Sequence, residues 1–191
     1  MKIILASKSP RRIELLKLLK IDFEVISSNI DENISEKDPK LLAEKLSYLK
    51  AMSIKKDGVV LAADTVVTLD KEIFGKPRDY KDAFRMLKSL SGKWHTVITG
   101  VTIKFKDEVI TFSEKTNVKF KNLSKELIEF YINTAKPFDK AGGYGIQELG
   151  SVLVEKIEGD YFNVVGLPIS KVWDILWDRG MIDASKGEIN K

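Results

Sequence analysis

Residues Leu5–Leu19 read "LASKSPRRIELLKLL", and this stretch joins two kinds of local pattern. The short apolar run Ile3–Ala6 predicts a buried strand, and leucines at helical spacing up to Leu19 predict a helix directly after it. The intervening "SKSPRR" places three cations, two hydroxyls and a helix start within six residues. Backbone N–H groups, a helix dipole and forked arginine donors would meet there, which favours phosphate binding. A capped helix with two solvated arginines would give the same letters, so the loop alone does not decide.

The rest of the chain continues this alternation of strands and helices. Strands are predicted at Phe23–Ser27, Val59–Val67, Thr96–Phe105, Val109–Phe120 and Val152–Ile157, and helices from Pro39, at Tyr80–Leu90, Lys125–Thr134 and Pro168–Arg179. Interleaved strands and helices predict an α/β fold, and the two long adjacent strands in the middle predict a mixed sheet. We find no repeat or linker, so we expect a single domain over residues 1–191, with residues 181–191 as a frayed tail.

Composition restricts the class of protein. The 191 residues carry a formal net charge of +4 from well-mixed acids and bases, which argues against a dedicated nucleic-acid binder. The chain has no cysteine, which excludes disulfides, thiolate metal sites and cysteine nucleophiles. No apolar run reaches the roughly 18–20 residues of a membrane span, and the start is too short in apolar residues for a signal peptide. We therefore expect a soluble, cytoplasmic protein without a membrane partner.

Three polar positions stand out from the residues themselves. Asp64 ends an apolar run, where a carboxylate is costly to bury unless it is paired or holds a metal, so it is a candidate acid or base. The alternative is an acid that caps the next segment. The single histidine, His95, cannot form a histidine metal cluster, and we expect it to be a structural hydrogen-bonding group. Gln147 follows the glycine-rich "DKAGGYGIQ", which would suit either a ligand contact or a plain turn.

Eight motifs in order carry a resemblance to the Maf family of nucleoside triphosphate pyrophosphatases. They are "LASKSPRRIELL", the pair Asp31-Glu32, "LSYLKA", "AADTVV", "GKPRD", the spaced pattern "ML..LSG..H.V.TG" over residues 86–100, "DKAGGYGIQ" and "VVGLP". The resemblance covers nearly the whole chain to Arg179. It implies a Maf/ITPase-like fold: an elongated mixed sheet flanked by helices, with two lobes around a central cleft. It also implies hydrolysis of a nucleoside triphosphate between its α- and β-phosphates, a divalent metal (Mg²⁺, with Mn²⁺ or Co²⁺ as substitutes) and a homodimer.

The resemblance also assigns roles to residues of this chain. Asp64 matches the proton acceptor, and Glu32 matches a second acid with a metal-linked role, so both are expected near the metal. Lys50 and Lys76 match the two lysines of the family site, as point charges suited to non-bridging phosphate oxygens. Ser7 and Arg12 match positions of the phosphate loop.

Three further positions bear on the base of the nucleotide. Arg11, Thr65 and Gln147 resemble the dTTP/UTP group of the family, whereas the 7-methyl-GTP branch typically carries a bulky residue, glutamine and glutamate there. An amide can pair with the N3–H and O4 of uracil or thymine, while a glutamate only accepts hydrogen bonds and suits guanine. Glu148 departs from the small residue that many members carry. A nucleotide-binding regulator of septum formation, or a 7-methyl-GTP pyrophosphatase, is the alternative.

Overall fold

The computed structural model describes residues 2–182, which form one seven-stranded mixed sheet with helices on both faces. The strands are β1 (Ile3–Leu5), β2 (Phe23–Val25), β3 (Val59–Leu69), β4 (Glu72–Phe74), β5 (Trp94–Phe105), β6 (Glu108–Phe120) and β7 (Val154–Glu158). The sheet order is β2-β1-β3-β5-β6-β7, with β4 paired to β3. β1 runs parallel to β2 and β3, and the other pairs are antiparallel. The predicted α/β fold with a mixed sheet is confirmed.

Six α-helices accompany the sheet in the described residues: α1 (Pro10–Leu18), α2 (Pro39–Ser53), α3 (Tyr80–Leu90), α4 (Lys125–Ala135), α5 (Tyr161–Val165) and α6 (Ile169–Asp178). The start of α2 is set by Pro39 and by Asp38, whose side chain accepts from the N–H groups of Lys40 and Leu41. α3 has the predicted bounds. No helix within residues 2–182 is both long and apolar enough to cross a membrane.

The structure differs from the sequence-based expectations at several short elements. β4 and α5 are not predicted, because three and five residues are too short to show a period. The last strand begins at Val154 instead of Val152, since a 3₁₀ segment, Glu148–Leu153, precedes it. Met181 is buried in the core, so the chain is still packed at the start of the expected tail. Residues 183–191, the rest of that tail, lie outside the described residues.

The strand β3 has an interrupted edge, and this interruption positions the cleft. On one side β5 pairs with it from Val60 to Thr68 without a break. On the other side β1 pairs only with residues 59–61 and β4 only with residues 67–69. Residues 62–66 therefore have no strand neighbour on that edge within the described chain. Asp64 and Thr65 lie in this gap, so the expectation that Asp64 ends its strand is wrong: Asp64 is in the middle of β3.

Side chains of β3 alternate between the two faces of the sheet, as in any strand. Val60 and Ala62 belong to the small cluster with Ala51 of α2, whereas Leu61 and Ala63 belong to the main core on the opposite face. By this alternation Asp64 points to the face covered by α2, and Thr65 to the opposite face. At the gap, side chains from both faces of the sheet can therefore reach the same cleft.

The helix α2 packs unusually close to β5. A Cβ atom added at Gly100 would lie 2.3 Å from the backbone carbon and oxygen of Ala43, a distance that no side chain tolerates. Glycine is required here because helix and strand meet through their backbones. This contact brings the C-terminal turn of α2, which carries Lys50, over the middle of β3.

Candidate active site

One cavity of about 730 Å³ opens at the gap in β3. Its lining includes every residue that the sequence singled out for the site: Ser7, Arg11, Arg12, Glu32, Lys50, Asp64, Thr65, Lys76 and Gln147. These residues come from positions up to 140 apart in the sequence, from loops, strands and helices. Asp31, the other acid of its pair, does not line the cavity; its carboxylate accepts from the N–H of Asn33. The cavity therefore brings the nine residues together, and their individual roles stay predictions.

An ion triad occupies the α2 side of the cleft. The Lys50 ammonium lies 2.6 Å from Asp64 Oδ1 and 2.7 Å from Glu32 Oε1. The Lys50 side chain is only 9% exposed and that of Asp64 13%, whereas Glu32 is 45% exposed. Because both acid oxygens contact the same Nζ atom, the distance between them cannot exceed the sum of those two distances. The lysine thus holds two carboxylates close together at one point of the cleft.

The charge of Lys50 keeps Glu32 ionised. Partial burial raises the pKa of Glu32, but the hydrogen bond and charge of Lys50, helped by Lys76, outweigh burial and leave that pKa below its usual value. Lys76 Nζ lies 3.5 Å from Glu32 Oε2. Within the described residues, Asp64 Oδ2 has no hydrogen-bond partner. The triad therefore presents the ionised Glu32 carboxylate and the Oδ2 of Asp64 to the cleft.

Arg12 occupies the opposite side of the cleft with a different kind of partner. Its Nε donates to the carbonyl of Gly166 at 2.8 Å, and its Nη2 donates to Thr65 Oγ1 at 3.0 Å. Burial lowers the pKa of Arg12, and the charge of Asp64 opposes that effect. No carboxylate of residues 2–182 lies within ion-pair distance of Arg12. Its direct hydrogen-bond partners are neutral, so the guanidinium is available to form an ion pair with an anionic ligand.

The base-pocket candidates are held less tightly. Arg11 Nη1 donates to Asp139 Oδ2 at 2.9 Å, and Asp139 also pairs with Lys140 at 2.6 Å. The carboxamide of Gln147 has no hydrogen-bond partner in residues 2–182 although it lines the cavity. Its donor and acceptor groups are therefore available to a ligand.

The start of α1 is open toward the cleft. Ser9 is the N-cap residue, yet in the described chain its side chain accepts no hydrogen bond from the first turn. The Ser7 hydroxyl instead accepts from the Ser9 N–H at 3.1 Å and shapes the loop. The reading of "SKSPRR" as an ordinary side-chain-capped helix is therefore wrong, and the free N–H groups of α1 border the cavity.

Comparison with known proteins agrees with this geometry. A family model described as "Maf-like protein" matches residues 2–179. A protein of Thermosipho melanesiensis named dTTP/UTP pyrophosphatase is 64% identical over 182 residues, which cover 95% of this chain and 100% of that protein. The chain belongs to the Maf family. The family resemblance drawn from the eight motifs is thereby confirmed.

Two more distant Maf relatives carry the same name. The dTTP/UTP pyrophosphatase of Pyrococcus furiosus is 53% identical over 88% of this chain and 90% of its own length. That of Aquifex aeolicus is 45% identical over 95% of this chain and 97% of its own length. Among solved structures, the Staphylococcus aureus Ham1 protein is 17% identical, with a TM-score of 0.47 over 63% of this chain and 72% of that one.

The Maf cleft also contains residues that the sequence reasoning did not assign. Asp139 accepts from Arg11 and pairs with Lys140, the Gly166 carbonyl accepts from Arg12, and Tyr144 lines the cavity. All four lie inside the motifs "DKAGGYGIQ" and "VVGLP", so membership of these motifs is the sequence feature that could have indicated them. Their roles depend on contacts between distant segments, which no local pattern encodes.

His95 connects this Maf cleft to the main core. Its Nε2 lies 2.7 Å from the hydroxyl of Tyr144, and both rings pack edge-on against Phe120. His95 is only 3% exposed, and burial lowers its pKa to about 4. The imidazole is therefore neutral at physiological pH and lies behind the cavity wall, which agrees with the structural role expected for it.

Because the folded state resists protonating His95, the Maf protein should lose stability in a defined pH window. The contribution of His95 to stability is complete above pH 6.5, the ordinary pKa of histidine. It is lost as the pH falls from there through the folded-state pKa of about 4. Between pH 7 and pH 5 this single group should lower the free energy of unfolding by about 2 kcal/mol. Urea unfolding at both pH values should show that loss in wild type and a smaller one in His95→Gln. An equal loss in both would contradict a buried neutral imidazole.

Proposed function

We propose that this chain hydrolyses dTTP and UTP to the monophosphate and pyrophosphate, in nucleotide-pool house-cleaning. The observation that carries the proposal is the gathering of nine family-pattern residues in one cavity of about 730 Å³. The names of relatives at 64%, 53% and 45% identity support the substrate. We further propose a cytoplasmic location and a homodimer, both on the strength of the family resemblance.

The triphosphate would lie between the start of α1 and the two lysines. The uncapped N–H groups of α1 and the guanidinium of Arg12 offer donors to phosphate oxygens from one side. Lys76, whose side chain is 60% exposed, offers a mobile charge from the other side. These groups would stabilise the charge that shifts between oxygens as the Pα–O bond breaks.

Asp64 would be the general base. Lys50 binds its Oδ1, which leaves Oδ2 as the acceptor for a proton from water. That water would attack the α-phosphorus, the bond from the α-phosphorus to the bridging oxygen would break, and pyrophosphate would leave with that oxygen. Asp64 would hold the proton at Oδ2 until it passes to solvent or product. Lys50 would keep the Asp64 carboxylate correctly oriented before each turnover.

The two acids of the triad also fit a magnesium ion. Glu32 and Asp64 supply hard oxygen donors that Lys50 holds close together, so these two side chains would hold the cation. No group of three or more His, Cys, Asp or Glu side chains within residues 2–182 could hold a metal alone. Substrate oxygens and water would therefore complete the shell, as is usual for Mg²⁺. When bound, the ion would withdraw charge from phosphate oxygens.

Gln147 would read the pyrimidine base. Its free carboxamide can accept from N3–H and donate to O4 of uracil or thymine. A glutamate, the residue typical of the 7-methyl-GTP branch, would repel O4. Arg11, held by Asp139, and Thr65, held by Arg12, would complete the pocket.

Purified protein incubated with UTP and Mg²⁺ should release UMP and pyrophosphate in equal amounts, without free phosphate. Excess chelator should abolish turnover, and restored Mg²⁺ should recover it, because the ion supplies positive charge that the carboxylates cannot provide to the phosphates. Anion-exchange chromatography of the products measures both. UTP binding without any product would instead support the nucleotide-binding regulator.

Asp64→Asn keeps the shape of the side chain but removes the proton acceptor. Turnover of UTP should fall by about 10² or more, while the affinity for UTP, measured by titration calorimetry, stays within a few-fold. Glu32→Gln is the matched variant, and its loss should be partly recovered at raised Mg²⁺ if Glu32 serves the metal. Near-normal turnover in Asp64→Asn would move the role of base to another group.

Gln147→Glu replaces a donor with an acceptor and sets a carboxylate against O4. The kcat/KM for UTP and dTTP should fall roughly 10- to 100-fold, while that for GTP falls less or rises. Glu148→Gln, an exposed change at the neighbouring residue, should leave the ranking of UTP, dTTP, CTP and GTP as it is. The same ranking in Gln147→Glu as in wild type would show that Gln147 does not face the base.

A further inference from the structure

A chain of hydroxyl groups connects Arg12 to the buried interior. Arg12 Nη2 donates to Thr65 Oγ1 at 3.0 Å, and Thr65 Oγ1 lies 2.9 Å from Thr99 Oγ1. Thr99 Oγ1 donates to the backbone carbonyl of Asn163 at 2.9 Å. Thr65 and Thr99 are directly opposite each other on β3 and β5, so both hydroxyls point to the same face of the sheet.

The direction of each hydrogen bond in this chain follows from its two ends. A guanidinium can only donate and a carbonyl can only accept. The single proton of Thr99 is therefore used on Asn163, and the proton of Thr65 must be used on Thr99. This leaves the oxygen of Thr65 with its lone pairs turned toward Arg12. Any other arrangement leaves one buried group without its partner, which is costly.

The row of hydrogen bonds that starts at Arg12 finishes at the C-terminal end of helix α5, which is itself firmly anchored. α5 is a five-residue helix, and the carbonyls of Asn163 and Gly166 lie at its C-terminal end, where backbone acceptors lack partners within the helix. Thr99 Oγ1 donates to the Asn163 carbonyl, and Arg12 Nε donates to the Gly166 carbonyl at 2.8 Å. The Asn163 side chain is fully buried and donates to the Val97 carbonyl and to Thr116, which fastens α5 to β5 and β6.

We infer that Thr99 is a positioning residue for Arg12, acting through Thr65. Arg12 is then held at two donor nitrogens by the same helix end, once directly at Gly166 and once through the two threonines. Because no carboxylate of residues 2–182 pairs with it, these neutral contacts alone set the direction of the guanidinium. The inference rests on the proposed function, since it takes Arg12 to meet the triphosphate. It assigns a purpose to Thr99, which is fully buried and does not line the cavity.

The chain offers a matched set of variants for the test. Thr99→Val removes the hydroxyl at nearly constant volume, and Thr99→Ser keeps it. Thr102→Val is the control, because Thr102 is also a fully buried threonine of β5 and its hydroxyl contacts Ser47 and Thr111, away from the cavity. Melting temperatures of all three would show the purely structural cost of each change.

With UTP as substrate, Thr99→Val should raise KM roughly 10-fold, which is the scale of losing one oriented hydrogen bond, with a smaller effect on kcat. Thr99→Ser should recover most of that loss, and Thr102→Val should stay within about 2-fold of wild type. In an Arg12→Lys background, Thr99→Val should add little, because the group that it positions is gone. An unchanged KM in Thr99→Val, or an equal effect with and without Arg12, would overturn the inference.

A measurement without substrate keeps this test separate from that of the proposed function. The Arg12 Nη2 protons should give a slowly exchanging NMR signal in wild type, Thr99→Ser and Thr102→Val, and a faster one in Thr99→Val. Failure to hydrolyse UTP would contradict the proposed function and leave this signal informative. Equal exchange in Thr99→Val and wild type would contradict the positioning role even in a fully active protein.

Discussion

The missing strand neighbour beside residues 62–66 of β3 is the constraint on which the cleft depends. β5 secures the other edge of β3 throughout, so this stretch stays extended although β1 and β4 leave it uncovered. Consecutive residues of an extended chain point to opposite faces, so Asp64 pairs with Lys50 on one face while Thr65 accepts from Arg12 on the other. One exposed stretch of strand therefore serves two chemically different walls of one cavity.

The two walls differ in the partners of their buried cationic side chain. Lys50 is shared by Asp64 and Glu32, so its charge is taken up by the two carboxylates and holds them close together. Arg12 contacts only neutral oxygens, so its charge remains available to a ligand. A lysine suits the first place because a compact ammonium can lie between two acids, and an arginine suits the second because its planar fork is oriented by several acceptors. The division matches a reaction that needs a base on one side and anion binding on the other.

The sequence predicts long elements and motif residues well and short or tertiary features poorly. The bounds of α3 are right because its apolar residues recur through three turns between Asp79 and Ser91. β4 and α5 are too short for such a pattern, and α5 turns out to anchor Arg12. The sequence puts Asp64 at the end of an apolar run, whereas pairing with β5 continues the strand through Asp64, and β3 ends at Leu69. Thr99 lies in a plain β-run, and only the register with Thr65 shows its importance.

The cleft also accounts for the modest basic charge of the whole chain. Among residues 2–182, six cations and three carboxylates line the cavity, a formal excess of +3 within a protein whose net charge is +4. The remainder of the protein is thus nearly balanced, and the excess positive charge is concentrated at the cleft. Such focusing accelerates the diffusional capture of multivalent anions, and salt screens it over a Debye length of about 8 Å at physiological ionic strength. The rate of encounter with an anionic ligand should therefore fall as the ionic strength of the surroundings rises.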